Sequence, residues 1–456
     1  MAISPARKVA FDVLLRVEAE AAYASDLLHT ELSGDVGASD AALATEITLG
    51  VLRQRRLLDF LLARHSKKQI ERFDLPVAIA LRMALYQLRF LERVPARAAV
   101  HESVELVKRA RKSSAASLVN AILRRCADDA KTPAESFLAP AAILADRLGI
   151  LHSHPTWIVE RWLARFGEAR TVALLEANNR PPHLSCALSD EKNREETFAI
   201  LRAAKLQVTP GRLLRSAFTL ASGSPSRTPA FREGRFSIQD EASQAIPLLL
   251  GVQPGDKVLD LCAAPGGKTA TLVRAAGESG LVIAGDRYTH RLRATAAQFQ
   301  RLKLGAAHLV ELDASQPLPF RTTFDRILVD APCSGTGTLA RHPEIRWRLR
   351  EQQLTEFHNL QKATLIRALD HLAPGGRLVY STCSLEPEEN ERVMADVLRE
   401  VPRARRVAPD DIARTLARHL ADSVNAASFF DSLGQFRTFP ADLPIDGFFA
   451  AALEMA

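Results

Sequence analysis

Asp325-Arg326-Ile327-Leu328-Val329-Asp330-Ala331-Pro332-Cys333-Ser334-Gly335-Thr336-Gly337 is an apolar run that stops at a carboxylate and breaks into a proline-stiffened, glycine-bearing turn around a thiol. The run reads as a buried strand. Open parallel sheets collect their chemistry at the carboxyl ends of their strands, so Asp330 and Cys333 stand where a reaction would take place. Arg377-Leu378-Val379-Tyr380-Ser381-Thr382-Cys383-Ser384 repeats the arrangement with a second thiol, Cys383. Two cysteines on two strand ends, one beside a carboxylate, form a pattern for covalent chemistry.

Working outward, the same alternation of strand and helix begins at Asp256 and runs to the end. Its strands are Lys257-Val258-Leu259-Asp260-Leu261, Leu281-Val282-Ile283-Ala284-Gly285-Asp286, His308-Leu309-Val310-Glu311-Leu312-Asp313, the run ending at Asp330, and Arg377-Leu378-Val379-Tyr380. Such alternation demands right-handed crossovers and a mostly parallel sheet covered on both faces. Gly447-Phe448-Phe449-Ala450-Ala451-Ala452-Leu453 is expected as an edge strand.

Upstream, residues 183–239 carry short strands, His183-Leu184-Ser185-Cys186-Ala187-Leu188 and Phe218-Thr219-Leu220, around a helix over residues 195–204, a small α+β unit. The polar turn Asn178-Asn179-Arg180-Pro181-Pro182 before it is either an ordinary loop or a contact to a substrate backbone. Pro133, Pro140 and Pro155 mark a connector, and His154-Pro155-Thr156-Trp157 opens a helix whose Trp157, Trp162 and Phe166 are packing residues. Residues 1 to about 130 read as helices throughout, with Val9, Val13, Leu14 and Val17, then Val77, Leu81, Leu85 and Leu88, then Val100, Val104 and Val107, then Leu118, Ile122 and Cys126 on single faces. Ser33-Gly34-Asp35 is one of the connections between them. The expected domains are residues 1–135, all-α; 136–240, linker helices and the α+β unit; and 241–456, the α/β sheet.

The chain has 456 residues, 25% charged and 47% apolar, which describes a soluble globular protein of two to three domains. No apolar run reaches about 18 residues and the first residues lack a secretory core, so the expected location is cytoplasmic and no membrane is involved. Five cysteines without a Cys-x-x-Cys pair argue against a disulfide framework and against a metal site. Cys126 and Cys186, among apolar neighbours, are expected to be structural. The net charge of +7 suits a polyanionic partner, and Arg97, Lys108, Arg109, Arg111, Lys112, Arg124 and Arg125 against Glu102 and Glu105 form a candidate phosphate footprint.

The first strand leads into Cys262-Ala263-Ala264-Pro265-Gly266-Gly267-Lys268-Thr269 and a helix. The glycines admit a ligand close to the backbone. Neither a P-loop nor a Gly-x-Gly-x-x-Gly is present, so a phosphate site is disfavoured. Asp286, about 20 residues on, is placed to accept from a ribose diol, and Asp313 from an exocyclic amine. That set suits a nucleoside without phosphates, S-adenosylmethionine. Carbon 5 of cytosine becomes nucleophilic only after a thiolate adds to carbon 6, and Asp330 is available to support the adduct at ring nitrogen 3. A free thiol of pKa about 8.5 needs activation. Cys383 precedes an expected helix start over Ser384-Leu385-Glu386-Pro387-Glu388-Glu389-Asn390, whose amides would help. Physical reasoning leaves Cys333 and Cys383 both open as the nucleophile.

Asp260-Leu261-Cys262-Ala263-Ala264-Pro265-Gly266-Gly267-Lys268-Thr269, Asp330-Ala331-Pro332-Cys333-Ser334-Gly335 and Ser381-Thr382-Cys383-Ser384 strongly resemble the motifs of the RNA cytosine-5 methyltransferases, and the likeness spans about 220 residues. It implies a Rossmann-like methyltransferase domain, Cys383 as nucleophile, Cys333 as an aid to product release, and cofactor contacts from Cys262, Ala263, Ala264, Pro265, Gly266, Gly267, Lys268, Asp286, Asp313 and Asp330. Ser381 stands where alanine is common in the family. The helical region resembles the NusB-type RNA-binding domain. Arg341-His342-Pro343-Glu344-Ile345-Arg346-Trp347 and Phe236-Ser237-Ile238-Gln239-Asp240-Glu241 look like segments of the group that carries both parts and acts on cytosine 967 of bacterial 16S ribosomal RNA. That similarity implies 16S rRNA, naked or in early assembly, as partner, and a monomer. Two rivals are a DNA cytosine-5 methyltransferase, which would use Cys333 and not need Cys383, and a non-catalytic RNA-binding protein, which would need neither.

Overall fold

The computed structural model describes residues 3–32, 34, 36–139, 143–221, 223–305 and 307–455. Ser33, Asp35 and Pro140, assigned above to connections, lie outside the described residues. The chain forms two compact units, one of Met1–Pro181 with Leu339–Glu351 and one of Pro182–Thr338 with Gln352–Ala456.

The first unit is helical. Pro5–Glu20, Ala24–Glu31, Ala38–Ser66, Leu75–Phe90, Ala96–Arg109 and Ala116–Asp129 share one core. Leu75–Phe90 is buried almost all round, with Ala78, Ile79, Ala80, Met83 and Ala84 inside as well as the expected Val77, Leu81, Leu85 and Leu88. Such a helix has no wet face and so lies at the centre of its bundle. In Ala116–Asp129 the buried face is Val119, Ile122, Leu123 and Cys126, while Leu118 is exposed, one step round from expectation. Part of the basic cluster is neutralised by acids, two of them distant in sequence. Arg109 holds Asp12 through two contacts at 2.8 and 2.9 Å, Lys112 lies 3.0 Å from Asp74, and Lys108 lies 2.7 Å from Glu105. Arg97, Arg111, Arg124 and Arg125 are exposed.

Leu339–Glu351 follows the Cys333 turn in sequence yet belongs to this helical unit. Its anchor is Arg346, which is 1% exposed. The guanidinium donates to the carbonyls of Ser153 at 3.0 Å, Asn178 at 3.0 Å, Leu339 at 3.3 Å and Arg53 at 3.4 Å, and to Asn179 Oδ1 at 2.9 Å. Asn179 Nδ2 in turn donates to the His152 carbonyl at 2.6 Å, and Asn178 is fully buried beside His154. Both asparagines of the Asn178-Asn179-Arg180 turn are therefore engaged internally, and the reading of these two as substrate contacts gives way to a structural one. Burial, with Arg53 adding to it, pushes the Arg346 pKa down to about 9.

The second unit holds two sheets. Strands β1 (Leu184–Leu188), β2 (Val208–Pro210), β3 (Ala217–Leu220) and β4 (Phe236–Ile238) form an antiparallel sheet in the order β2-β3-β1-β4. The larger sheet contains β5 (Lys257–Asp260), β6 (Leu281–Asp286), β7 (Ala307–Glu311), β8 (Phe324–Asp330), β9 (Leu372–Thr382), β10 (Ala404–Arg406), β11 (Phe436–Arg437) and β12 (Phe449–Met455). Its order among the described residues is β10-β12-β9-β8-β5-β6-β7, with β11 also paired to β12. β5 to β9 are parallel. Ile327, Leu328, Val329, Leu378, Val379 and Tyr380 are fully buried, as central parallel strands covered on both faces require.

β12 corrects one expectation. It is antiparallel and interior, flanked by β9 on one side and by β10 and β11 on the other, so it is not an edge. The short β10, too small to leave a signal in the sequence, covers its outer side. Glu241, which opens the helix Glu241–Leu248 after β4, is tied to the segment between β2 and β3, because its buried carboxylate accepts from the amides of Arg212, Leu213 and Leu214 at 3.1, 2.8 and 3.2 Å.

Candidate active site

β8 lies between β5 and β9, so the loops after these three strands are neighbours. That order brings Asp260, Asp330 and Cys383 together although 123 residues separate the first from the last. Asp330 pairs with Ser381 in the ladder and accepts from its Oγ at 2.7 Å. Its other oxygen lies 2.6 Å from Lys268 Nζ. Cys333 Sγ and Cys383 Sγ are 3.2 Å apart, and both residues are partly exposed.

The hydrogen bond with Cys383 first, then burial and the charges of Cys383, Glu389 and Asp330, push the Cys333 pKa well up. The raised pKa favours the protonated form of Cys333, within hydrogen-bond distance of the Cys383 sulfur. Lys268 is held cationic despite burial by Asp330 and also by Cys383, and it lies over the Phe448 ring at 5.3 Å. The helix expected directly after Cys383 does not start there. Pro387–Glu389 makes a single tight turn, Asn390 has φ −120° and ψ −92°, and the helix is Glu391–Glu400. Helix amides are thus not adjacent to Cys383.

The turn after β5 wraps towards the end of β6. Ala263 N donates to Gly285 O at 2.9 Å, Ala264 N to Asp286 Oδ2 at 3.3 Å, and Arg291 to Ala264 O at 2.9 Å. Gly266 has φ +95°, a left-handed conformation that starts the helix Gly267–Ala276 and that glycine adopts without cost. Asp286 is the last residue of β6 and is 4% exposed, whereas Asp313 falls two residues beyond the end of β7 and accepts from Ser315. Cys262 keeps its proton because burial, followed by Asp260, Asp330 and Asp286, pushes its pKa well up.

Asp260 is at the centre of this cluster. One oxygen accepts from Thr269 Oγ1 at 2.7 Å, and Oδ1 is buried with no partner among the described residues. Burial above all, with Asp330 adding to it and Thr269 opposing, pushes its pKa up to about 7. The folded chain thus binds this proton more tightly than the unfolded one. The resulting stability is complete below the ordinary carboxylate range of about 4 and is lost as pH rises through about 7. The Asp260→Asn variant should flatten the fall in melting temperature between about pH 5 and 8. An unchanged slope would contradict this assignment.

The carboxylates also test the fit of an adenosylmethionine. Asp260 and Asp286 are buried, the neighbouring cations Arg287 and Arg291 are largely exposed, and Lys268 is held by Asp330. A site with buried acids and no free buried cation repels phosphate and suits a cationic amino acid joined to a ribose. Sequence reasoning missed Glu389, Ser334, Ser384 and Gln361, which bridge the two thiol loops. The only trace in the sequence is that each cysteine is followed by serine.

Comparison with known proteins agrees with this geometry. The family described as 16S rRNA methyltransferase RsmB/F matches residues 247–454, the NusB family matches 4–128, and the ferredoxin-like domain of RsmF/B-like methyltransferases matches 154–227. A probable ribosomal RNA small subunit methyltransferase B of Bacillus subtilis is 30% identical over 98% of this chain and 98% of its own. Its counterpart in Synechocystis is 34% identical over 85% of this chain and 87% of its own. The crystal structure of PH0851 superposes over 100% of this chain and 99% of its own with TM-score 0.81 at 24% identity, a likeness of fold. A parallel sheet carrying an adenosylmethionine-type turn, joined to a NusB-like helical region and matched over nearly its whole length by such relatives, means that the chain belongs to the RsmB/F family of 16S rRNA methyltransferases and is an S-adenosylmethionine-dependent methyltransferase.

Proposed function

We propose that this enzyme methylates carbon 5 of a cytosine in RNA, cytosine 967 of 16S rRNA, through a covalent bond between Cys383 and carbon 6. The observation that carries the reading is the pair of sulfurs 3.2 Å apart, on the loops after two adjacent strands. Cys262, Ala263, Ala264, Pro265, Gly266, Gly267 and Lys268 would hold the cofactor with Asp286, Asp313 and Asp330. Bound there, S-adenosyl-L-methionine supplies an electrophilic methyl group.

The chain's own residues do the rest. Cys383, as thiolate, adds to carbon 6 and leaves carbon 5 as an enamine carbon. Asp330, held by Lys268 and Ser381, supports the altered ring at nitrogen 3. Once carbon 5 is methylated, a base takes its proton, the electrons of that C–H bond restore the carbon 5–carbon 6 double bond, and the sulfur–carbon 6 bond breaks with its electron pair returning to Cys383. Cys333, a protonated thiol at hydrogen-bond distance, stabilises that departing thiolate. In this scheme Cys333 serves elimination and Cys383 serves addition. The exposed Arg97, Arg111, Arg124 and Arg125 of the helical unit suit contacts to an RNA backbone.

The test is methyl transfer from labelled cofactor to 16S rRNA lacking the modification, followed by mapping at nucleotide resolution. The expected product is 5-methylcytosine at position 967. Label at another base type, or on protein rather than RNA, would overturn the proposal.

A further inference from the structure

Glu389 is fully buried and unused by the chemistry above. Its Oε1 accepts from Ser334 Oγ and, at 2.5 Å, from Ser384 Oγ, and these two hydroxyl oxygens lie 3.0 Å apart. Its Oε2 accepts from the Ser334 amide at 2.8 Å and from Gln361 Nε2 at 3.0 Å. Gln361 Nε2 also donates to the Pro332 carbonyl at 2.9 Å. The main chain of Glu389 is held by the Tyr380 hydroxyl at 2.6 Å, and Asn390 is held through Thr382 at 2.6 Å and Ser384 O at 2.8 Å. One carboxylate therefore grips the residue after Cys333 and the residue after Cys383 at the same time.

We infer that Glu389 is a positioning residue that sets the spacing of the two thiols by clamping the serine that follows each. The inference rests on the two-thiol reading above. Cys333 and Cys383 sit on loops after different strands, and neither β8 nor β9 alone determines how far apart the sulfurs lie. A carboxylate offers four acceptor directions, which matches the two hydroxyls and two N–H groups aimed at it. Displacing a reacting group by about 1 Å costs on the order of 100-fold in rate, so the clamp acts on turnover rather than on binding.

The test compares Glu389→Ala with Glu389→Gln in the full-length enzyme. Glutamine can keep its oxygen towards the two N–H groups and donate its amide hydrogens to the two hydroxyls, which rotate to accept, so all four contacts survive without the charge. The expected result for Glu389→Ala is a kcat reduced about 100-fold with KM for RNA and cofactor within about twofold, and for Glu389→Gln a kcat within about fivefold of wild type. A wild-type kcat in Glu389→Ala would overturn the inference. So would a folded Glu389→Gln as impaired as the alanine variant, or a loss accounted for by the unfolded fraction in circular dichroism. Should Glu389→Ala fail to fold, the Ser334→Ala/Ser384→Ala double variant is expected to show the same kcat loss at unchanged KM, and wild-type kcat there would overturn the clamp. RNA containing 5-fluorocytidine, which lacks the departing proton, separates the two levels. Wild-type protein trapped at Cys383 together with an unaffected Glu389→Ala rejects the clamp alone, whereas no trapped wild-type species rejects the thiol reading and the clamp with it.

Discussion

Replacing Cys383 by alanine should lower methyl transfer by roughly four orders of magnitude or more, the scale on which an enzyme loses rate when its covalent nucleophile is removed but its binding groups remain. Cofactor binding should persist, because Asp330 still holds Lys268 and the backbone contacts of the turn to Gly285 and Asp286 do not involve that sulfur. Replacing Cys333 should behave differently. Addition at carbon 6 would proceed, but the thiolate would leave without its donor 3.2 Å away, so protein–RNA adduct should accumulate and turnover should stall near one per site. Denaturing electrophoresis with labelled RNA reads both variants. Adduct from Cys383→Ala and none from Cys333→Ala would reverse the assignment and favour the chemistry in which the Pro-Cys cysteine attacks.

The second large effect is structural. Arg346→Met removes the donor shared by four main-chain carbonyls and Asn179 Oδ1, and leaves the buried carbonyls among them without it. Each unsatisfied buried group costs about 1–3 kcal/mol, so a loss of about 3–5 kcal/mol is expected after partial relaxation. Arg346→Lys should lose less, because an ammonium can reach some of the same oxygens but lacks the planar fork. All three tryptophans, Trp157, Trp162 and Trp347, lie in the helical unit, so tryptophan fluorescence during urea unfolding follows that unit alone. The midpoint should fall sharply for methionine and moderately for lysine. A methionine variant with a wild-type midpoint would mean that the cage contributes little.

These two residues show how the sequence could be read and where its reading stopped. Cys383 stood out because an apolar strand ending in Thr-Cys-Ser is a local pattern. Arg346 was noticed only as part of a resemblance, and Asn178-Asn179 only as a polar turn. Neither observation contained the other, since the partners are 167 and 168 residues apart. The expected helix after Cys383 failed for a related reason. Ser384 and Glu389 make hydrogen bonds to Ser334 and Gln361, and Asn390 to Thr382 and Ser384, which override the local tendency of that acidic stretch, and Pro387 delays the helix to Glu391.

By itself the sequence determined the helical region, the mixed middle region, the parallel sheet, the glycine turn and the two strand-end thiols, because periodicity, turn chemistry and strand-end residues are properties of contiguous segments. Only the tertiary structure decided that β12 is interior, that Asn178 and Asn179 surround Arg346, that Asp260 keeps an oxygen without a donor, and that one glutamate joins the loops of both sulfurs. The physical reason is that these depend on which distant segments the assembled fold brings together. Hydrogen bonds and burial act through space at about 3 Å, and which segments come that close is settled only when the helices and strands are packed.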